Sequence, residues 1–237
     1  MSQNETHPSA ISLTNVAFDW PGQRFGLVVD SFEVATGATV LLLGESGSGK
    51  STLLSLITGV LSPSRGSVVI EGQDLSTLSS ARRDRFRADT FGIIFQMFNL
   101  LPYATALDNI LVPLHFSPNR RSRCKSGRGD ALALTSALGL SEPDVVRGAA
   151  SRLSVGQQQR VAVARAMIGR PPIVIADEPT SALDTDRQEE FITLVFDQVR
   201  EAGSTLLMVT HDTGLAQYFD RVVTLNEIAT VRNGTDP

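Results

Sequence analysis

An α/β fold with buried parallel strands is predicted by three features of the sequence. The apolar run Thr39–Leu43 leads into a glycine-rich turn and then into Thr52–Ile57, whose apolar residues form a helical stripe. Ile173–Ala176 and Thr205–Val209 are continuous apolar runs with a helical stretch, 186–201, between them, which is a βαβ pattern. The first of these runs ends in Asp177-Glu178, placing two carboxylates at the edge of a parallel sheet where ligands bind in such folds.

The remaining elements follow in chain order. Leu13–Phe18, Gly26–Val34, Ser67–Ile70 and Phe91–Phe95 are short β-branched or aromatic runs, punctuated by Pro21-Gly22, Gly37, Pro63, Gly66 and Gly72. From Met97 to Ala150 the character turns helical. Ala131, Leu132, Leu134, Thr135 and Leu138 share one face, and Gly139 is a C-terminal stop. Asn119–Gly129 (NRRSRCKSGRG) is basic, small and polar, and reads as a solvated loop between helices, with contact to anionic lipid or to a partner's acidic face as the alternative. Ser154 reads as the N-cap of a helix over 155–169.

Composition narrows the classes. At 237 residues the chain has ample apolar content for a core, and a net charge of −4 argues against a nucleic-acid partner. Cys124 is the sole cysteine, so no intrachain disulfide can form. No apolar run approaches the roughly 20 residues that span a bilayer. Met1–Ala10 has no basic start and no apolar centre, which is not the pattern of a secretory signal. A cytoplasmic protein is expected, held at any membrane by another polypeptide.

Residues 44–51 read Gly44-Glu45-Ser46-Gly47-Ser48-Gly49-Lys50-Ser51, followed by Thr52, the pattern G-x-x-x-x-G-K-[ST] between a strand and a helix. Its glycines let the backbone curl so that N–H groups face phosphate oxygens, and the helix adds its positive N-terminal end. Lys50 can reach the β- and γ-phosphates, and the Ser51 hydroxyl can ligate Mg²⁺. Asp177 can join the same Mg²⁺ shell. Glu178 can orient and deprotonate an attacking water, and Pro179 ends the strand.

Residues 153–166 read Leu-Ser-Val-Gly-Gln-Gln-Gln-Arg-Val-Ala-Val-Ala-Arg-Ala. This stretch resembles the signature of the ABC (ATP-binding cassette) family, usually LSGGQ, running into its helix. The family's other marks occur in order. Gln96 matches the Q-loop glutamine, Ser181-Ala182-Leu183-Asp184 the D-loop and His211 the switch histidine. Trp20, 24 residues before Gly44, lies where the family stacks an aromatic on adenine. The resemblance covers roughly residues 11–225.

The resemblance implies a P-loop NTPase with a RecA-like core and mostly parallel sheet, an antiparallel β subdomain and an inserted helical subdomain. It implies one nucleotide-binding domain over 11–231, with the core at about 11–96 and 158–231 and the helical part at about 97–157. It implies ATP and Mg²⁺, with Lys50, Glu178 and His211 catalytic and Ser51, Gln96 and Asp177 at the metal. Nucleotide contacts fall to Trp20, to Gly44 through Thr52, and to Ser154, Gly156 and Gln157. The last three would serve the ATP of a second copy, in a homodimer closed by ATP. Val155 departs from the signature's glycine and Trp20 from its usual tyrosine; no catalytic position departs.

Phe95–Pro102 and Thr105–Ile110 resemble cassettes of the lipoprotein-releasing and macrolide-exporter type. That implies a separate transmembrane permease whose coupling helix docks beside the Gln96 loop, with Phe98, Leu100, Leu101 and Tyr103 as apolar anchors. The protein would then lie peripherally on the inner face of the cell membrane. A regulatory cassette of the cell-division type, which drives a membrane partner without transport, would show nearly the same residues.

Overall fold

The computed structural model describes residues 8–22, 25–140, 142–181 and 183–233. The chain divides into two compact units, 1–87 with 207–237 and 88–206.

The first unit contains an antiparallel sheet. Strands β1 (Ser9–Asp19) and β2 (Phe25–Ala35) pair with Leu13 opposite Phe32 and Val16 opposite Val29. Alternation buries Ile11, Leu13, Leu27, Val29, Phe32 and Val34. Strand β3 (Thr39–Leu43) and helix α1 (Lys50–Ile57) follow, then β4 (Arg65–Ile70), β5 (Gln73–Asp74) and helix α2 (Ser80–Thr90), which runs across the boundary. In this sheet β4 lies on the free side of β1 and β5 beyond it; β10 (Ala229–Asn233) lies outside β2. Strand β3 belongs to a second sheet. It pairs in parallel with β9 (Arg221–Thr224), Val40 opposite Arg221. Its other neighbour is β8 (Thr205–Thr210), and Leu41, Leu42, Met208 and Val209 are buried without exposure.

The second unit opens with β6 (Phe91–Ile94), which pairs in parallel with β7 (Ile173–Asp177). Between them run α3 (Ala106–Phe116), α4 (Pro118–Arg123), α5 (Gly127–Ala137), the short α6 (Pro143–Arg147) and α7 (Val155–Met167). Helix α8 (Thr185–Ala202) follows β7, and Gly203, at φ 67°, ends it in the left-handed conformation. Thr105 and Asp108 form a capping box at the start of α3. The predicted stop at Gly139 is observed, with φ 67° one residue after the cap Leu138.

The expectation for Asn119–Gly129 is overturned. The stretch is helical at both ends, as α4 and the start of α5. Ser117 caps α4 by accepting from Arg120 N at 2.9 Å, with Pro118 at the first helical position. Arg120 is 2% exposed. Its guanidinium donates from Nε to Ile168 O at 2.8 Å, from Nη1 to Phe91 O at 3.1 Å and from Nη2 to Ala166 O at 2.6 Å. It therefore binds the last carbonyls of α7 and the first of β6. Burial, and then the neighbouring Arg123 charge, push its pKa down to about 10.

Candidate functional site

In the first unit the glycine-rich turn links β3 to α1. Gly49 is the N-cap of α1 at φ 101°, and an added Cβ would lie 3.3 Å from both Leu27 Cδ1 and Phe25 Cζ. Glycine is therefore required on conformational and spatial grounds. At Gly44 a Cβ would come within 2.9 Å of Ser48 Oγ. That hydroxyl is buried with no hydrogen-bond partner. No side chain caps α1 and no acid lies in its first turn. By contrast α3, α4, α5, α7 and α8 each carry a capping side chain: Thr105, Ser117, Ser126, Ser154 and Asp184. The N-terminus of α1 is thus left to a ligand, and the ligand that suits it is an anion.

Lys50 is the first residue of α1 and only 7% exposed. Its Nζ donates to Gly44 O at 2.6 Å and Glu45 O at 2.8 Å, folding back over the turn. Glu45, Ser46 and Gly47 are exposed, as is the Ser51 residue; Thr52 is buried. Gly44 N donates to Thr210 O at 3.1 Å, so the turn begins against the end of β8, and exposed His211 follows directly. Trp20, at the end of β1, is half-buried and meets Phe18 edge-on, ring centres 5.3 Å apart at 88°.

The second unit holds the other candidates. Asp177 ends β7, and Glu178 sits just beyond at φ 48°, a left-handed conformation that a non-glycine residue rarely adopts. Both are half-buried. Gln96 is exposed, and its Nε2 donates to Ser181 Oγ at 3.3 Å, bringing the predicted Q-loop and D-loop residues together. Ser154 caps α7: its Oγ accepts from Gln157 N at 3.3 Å, while Gln157 Oε1 accepts from Ser154 N at 2.9 Å. Gln157 thus completes a capping box, a role readable in the spacing S-x-x-Q but missed at the sequence level. Val155 is 54% exposed, and a Cβ on exposed Gly156 would meet nothing within 4 Å. The departure from glycine at 155 is therefore accommodated outward.

Among the four expected apolar anchors, Phe98 is corrected. It is 9% exposed and belongs to the interior of its own unit. Leu101 at 38% and Tyr103 at 80% are exposed, joined by Met97 at 80%. Phe98 and Asn99 both have positive φ, 57° and 48°. Arg165 of α7 holds this turn, donating to Asn99 O at 2.6 Å and to Phe98 O. Burial pushes the Arg165 pKa down from its ordinary value. Gln159, 4% exposed on the same helix, donates to Pro179 O at 3.1 Å. Neither contact was foreseen; both residues sit inside the signature's helix, and only a fold tells which way they point.

Comparison with known proteins follows this geometry. Residues 28–181 match the family described as ABC transporter. A lipoprotein-releasing system ATP-binding protein of Xanthomonas euvesicatoria is 41% identical over 82% of this chain and 78% of its own. An uncharacterized ABC transporter ATP-binding protein of Mycobacterium tuberculosis is 38% identical over 91% of this chain and 86% of its own. Among solved structures, the dimeric form of a bacterial ABC transporter cassette superposes with a TM-score of 0.75 at 34% identity, covering 90% of this chain and 93% of that one. A dimeric post-hydrolysis state of the same cassette, bound to ADP and Pi, gives 0.74 at 33% identity with the same coverage.

Proposed function

Since the chain belongs to the ABC transporter family, we propose that it is the ATP-binding and hydrolysing subunit that energises export or extraction of a substrate through a separate membrane permease. The observation that carries the reading is the anion-ready turn before α1, with its uncapped helix end, its unpartnered Ser48 hydroxyl and Lys50 folded over it. Triphosphate oxygens take the turn's N–H groups and the Ser48 hydroxyl, and Lys50 exchanges its carbonyl partners for the β- and γ-phosphates. Trp20 offers its ring to the adenine.

The Ser51 hydroxyl, the Gln96 amide oxygen and the Asp177 carboxylate are the oxygen donors assigned to the metal, of the type a hard cation takes while completing its shell with phosphate. Mg²⁺ bound there supplies charge neutralisation at the phosphates. Glu178 orients and deprotonates the attacking water, and His211 contacts the γ-phosphate. Ser154, Gly156 and Gln157 of a second copy present the N-terminus of α7 to the same γ-phosphate, so the active form is a two-fold homodimer with two ATP molecules between its halves. The dimeric cassettes it resembles support this arrangement. No described helix is long and apolar enough to cross a membrane. In this reading the permease holds the protein at the cytoplasmic face.

The test is nucleotide binding followed through Trp20, the single tryptophan. Mg-ATP should change its fluorescence saturably, and Lys50→Ala should weaken the apparent affinity at least tenfold. Unaltered binding by Lys50→Ala would refute the assignment of the turn.

A further inference from the structure

Helix α7 begins at the Ser154 cap, and two of its side chains, buried Gln159 and half-buried Arg165, reach backbone carbonyls in the two loops that carry Glu178 and Gln96. Gln159 Nε2 bonds Pro179 O at 3.1 Å, the carbonyl directly after Glu178. Arg165 bonds Asn99 O at 2.6 Å and Phe98 O, in the turn directly after Gln96. Each loop is strained at the point that is held. Glu178 has φ 48°, Phe98 57° and Asn99 48°. Such conformations are unfavourable for ordinary side chains and persist only where neighbouring structure enforces them. Gln159 donates one residue beyond strained Glu178, and Arg165 donates to the strained Phe98 and Asn99 themselves. Pro179 adds rigidity, because its ring fixes φ and it offers no N–H to compete.

We infer that Gln159 and Arg165 are positioning residues through which the signature helix sets the aim of the Glu178 carboxylate and the Gln96 amide. A rigid helix 13 residues long moves its two ends together. When the Ser154 turn of one copy engages a phosphate of the other, the displacement of α7 is delivered at Gln159 and Arg165 to the loops of its own chain. The contacts thereby link assembly of the partner's site to hydrolysis in this chain's own site. The inference rests on Glu178 being the base.

The experiment uses the full-length protein carrying Gln159→Met, which keeps the volume and removes the donor. A second variant, Arg165→Lys, keeps the charge and loses the two-carbonyl reach. ADP binding read by Trp20 fluorescence establishes that each variant is folded. Steady-state hydrolysis is then measured with and without Glu178→Gln. The expected result for Gln159→Met is a fall in kcat of at least tenfold with KM for ATP within twofold of the parent. In the Glu178→Gln background the same substitution should change the residual rate less than twofold, because the group it aims is already gone. Arg165→Lys should lower kcat and raise the Mg²⁺ concentration needed for half-maximal rate, since Gln96 lies in that loop. Equal losses from Gln159→Met in both backgrounds, or a kcat unchanged in both variants, would overturn the inference. Should Glu178→Gln alone leave hydrolysis intact, the fault lies with the base assignment, and the two failures are told apart.

Discussion

Replacing Arg120 by Met should destabilise the second unit by about 3 kcal/mol. The figure follows from what the guanidinium does. It donates to Ile168 O at 2.8 Å, Phe91 O at 3.1 Å and Ala166 O at 2.6 Å while 2% exposed. Hydrogen bonds to a charged group contribute about 1.5–3 kcal/mol each, so three are worth roughly 4.5–9 kcal/mol in gross terms. Against this stands the several kcal/mol it costs to bury the charge, the same desolvation that lowers its pKa to about 10. Met removes both terms but leaves three buried carbonyls without their donor, which puts the net loss near the lower end of the range for breaking a buried pair. Urea unfolding followed by circular dichroism should show the midpoint of this unit falling by about 1 M for a slope of ~3 kcal/mol/M. Arg120→Lys should recover less than half, since an ammonium places its three donors on one nitrogen and cannot match carbonyls that the guanidinium meets from Nε, Nη1 and Nη2 separately. A Met variant within 0.3 M of the parent midpoint, a cut set well below the shift expected from that slope, would show that these bonds only compensate the burial of the charge.

Glu178→Gln should retain Mg-ATP binding, lose hydrolysis by at least a hundredfold and accumulate an ATP-dependent dimer on size-exclusion chromatography. Gly49→Ala forces a Cβ into the left-handed position at φ 101°, against Leu27 and Phe25. A penalty of about 1–2 kcal/mol should lower the melting temperature by roughly 4 °C, with ADP affinity falling at least tenfold by titration. Leu101→Asp should keep nucleotide binding and basal ATPase activity but abolish stimulation by the reconstituted permease. The backbone there is pinned by buried Asn109, with Leu101 N donating to Asn109 Oδ1 at 2.7 Å, so the change alters the surface alone. Phe98→Ala, in contrast, should lower stability by about 3 kcal/mol in the same urea assay, because its ring is interior.

The parts of the fold that could be read from the sequence are those where local rules and burial agree. Thr39–Leu43, Ile173–Ala176 and Thr205–Val209 are buried on both faces, so their strands are uninterrupted apolar runs and were placed to within a residue. Gly139 and Ser154 act through backbone chemistry confined to a few neighbours, and both roles were legible. The segment 119–129 was misread because its composition is that of a solvated loop. Charge alone does not say that one arginine of several turns inward. Arg121 and Arg123 in the same short helix are exposed, and only the carbonyls presented by α7 and β6 distinguish Arg120 from them. Phe98 fails for the same reason: its direction is set by a positive φ that no pattern announces.

At the candidate site the division runs between identity and posture. The residue types proposed to handle phosphate and water stand out in the sequence through motif spacing and, for Gln96, His211 and Trp20, through family resemblance. Their present partners do not. Lys50 rests on Gly44 and Glu45 carbonyls, and Gln96 on Ser181. Such partners are neutral and weaker than a phosphate or a divalent cation, and they are the ones a ligand would displace. The bonds of Gln159 and Arg165 are different in kind. Both run from a side chain to backbone carbonyls, the Gln159 bond in the interior and the Arg165 bonds from a half-buried guanidinium. A site built this way has side chains free to exchange partners mounted on loops that are not free to relax. Under the inference drawn above, ligand binding is then passed to α7 rather than lost in local rearrangement.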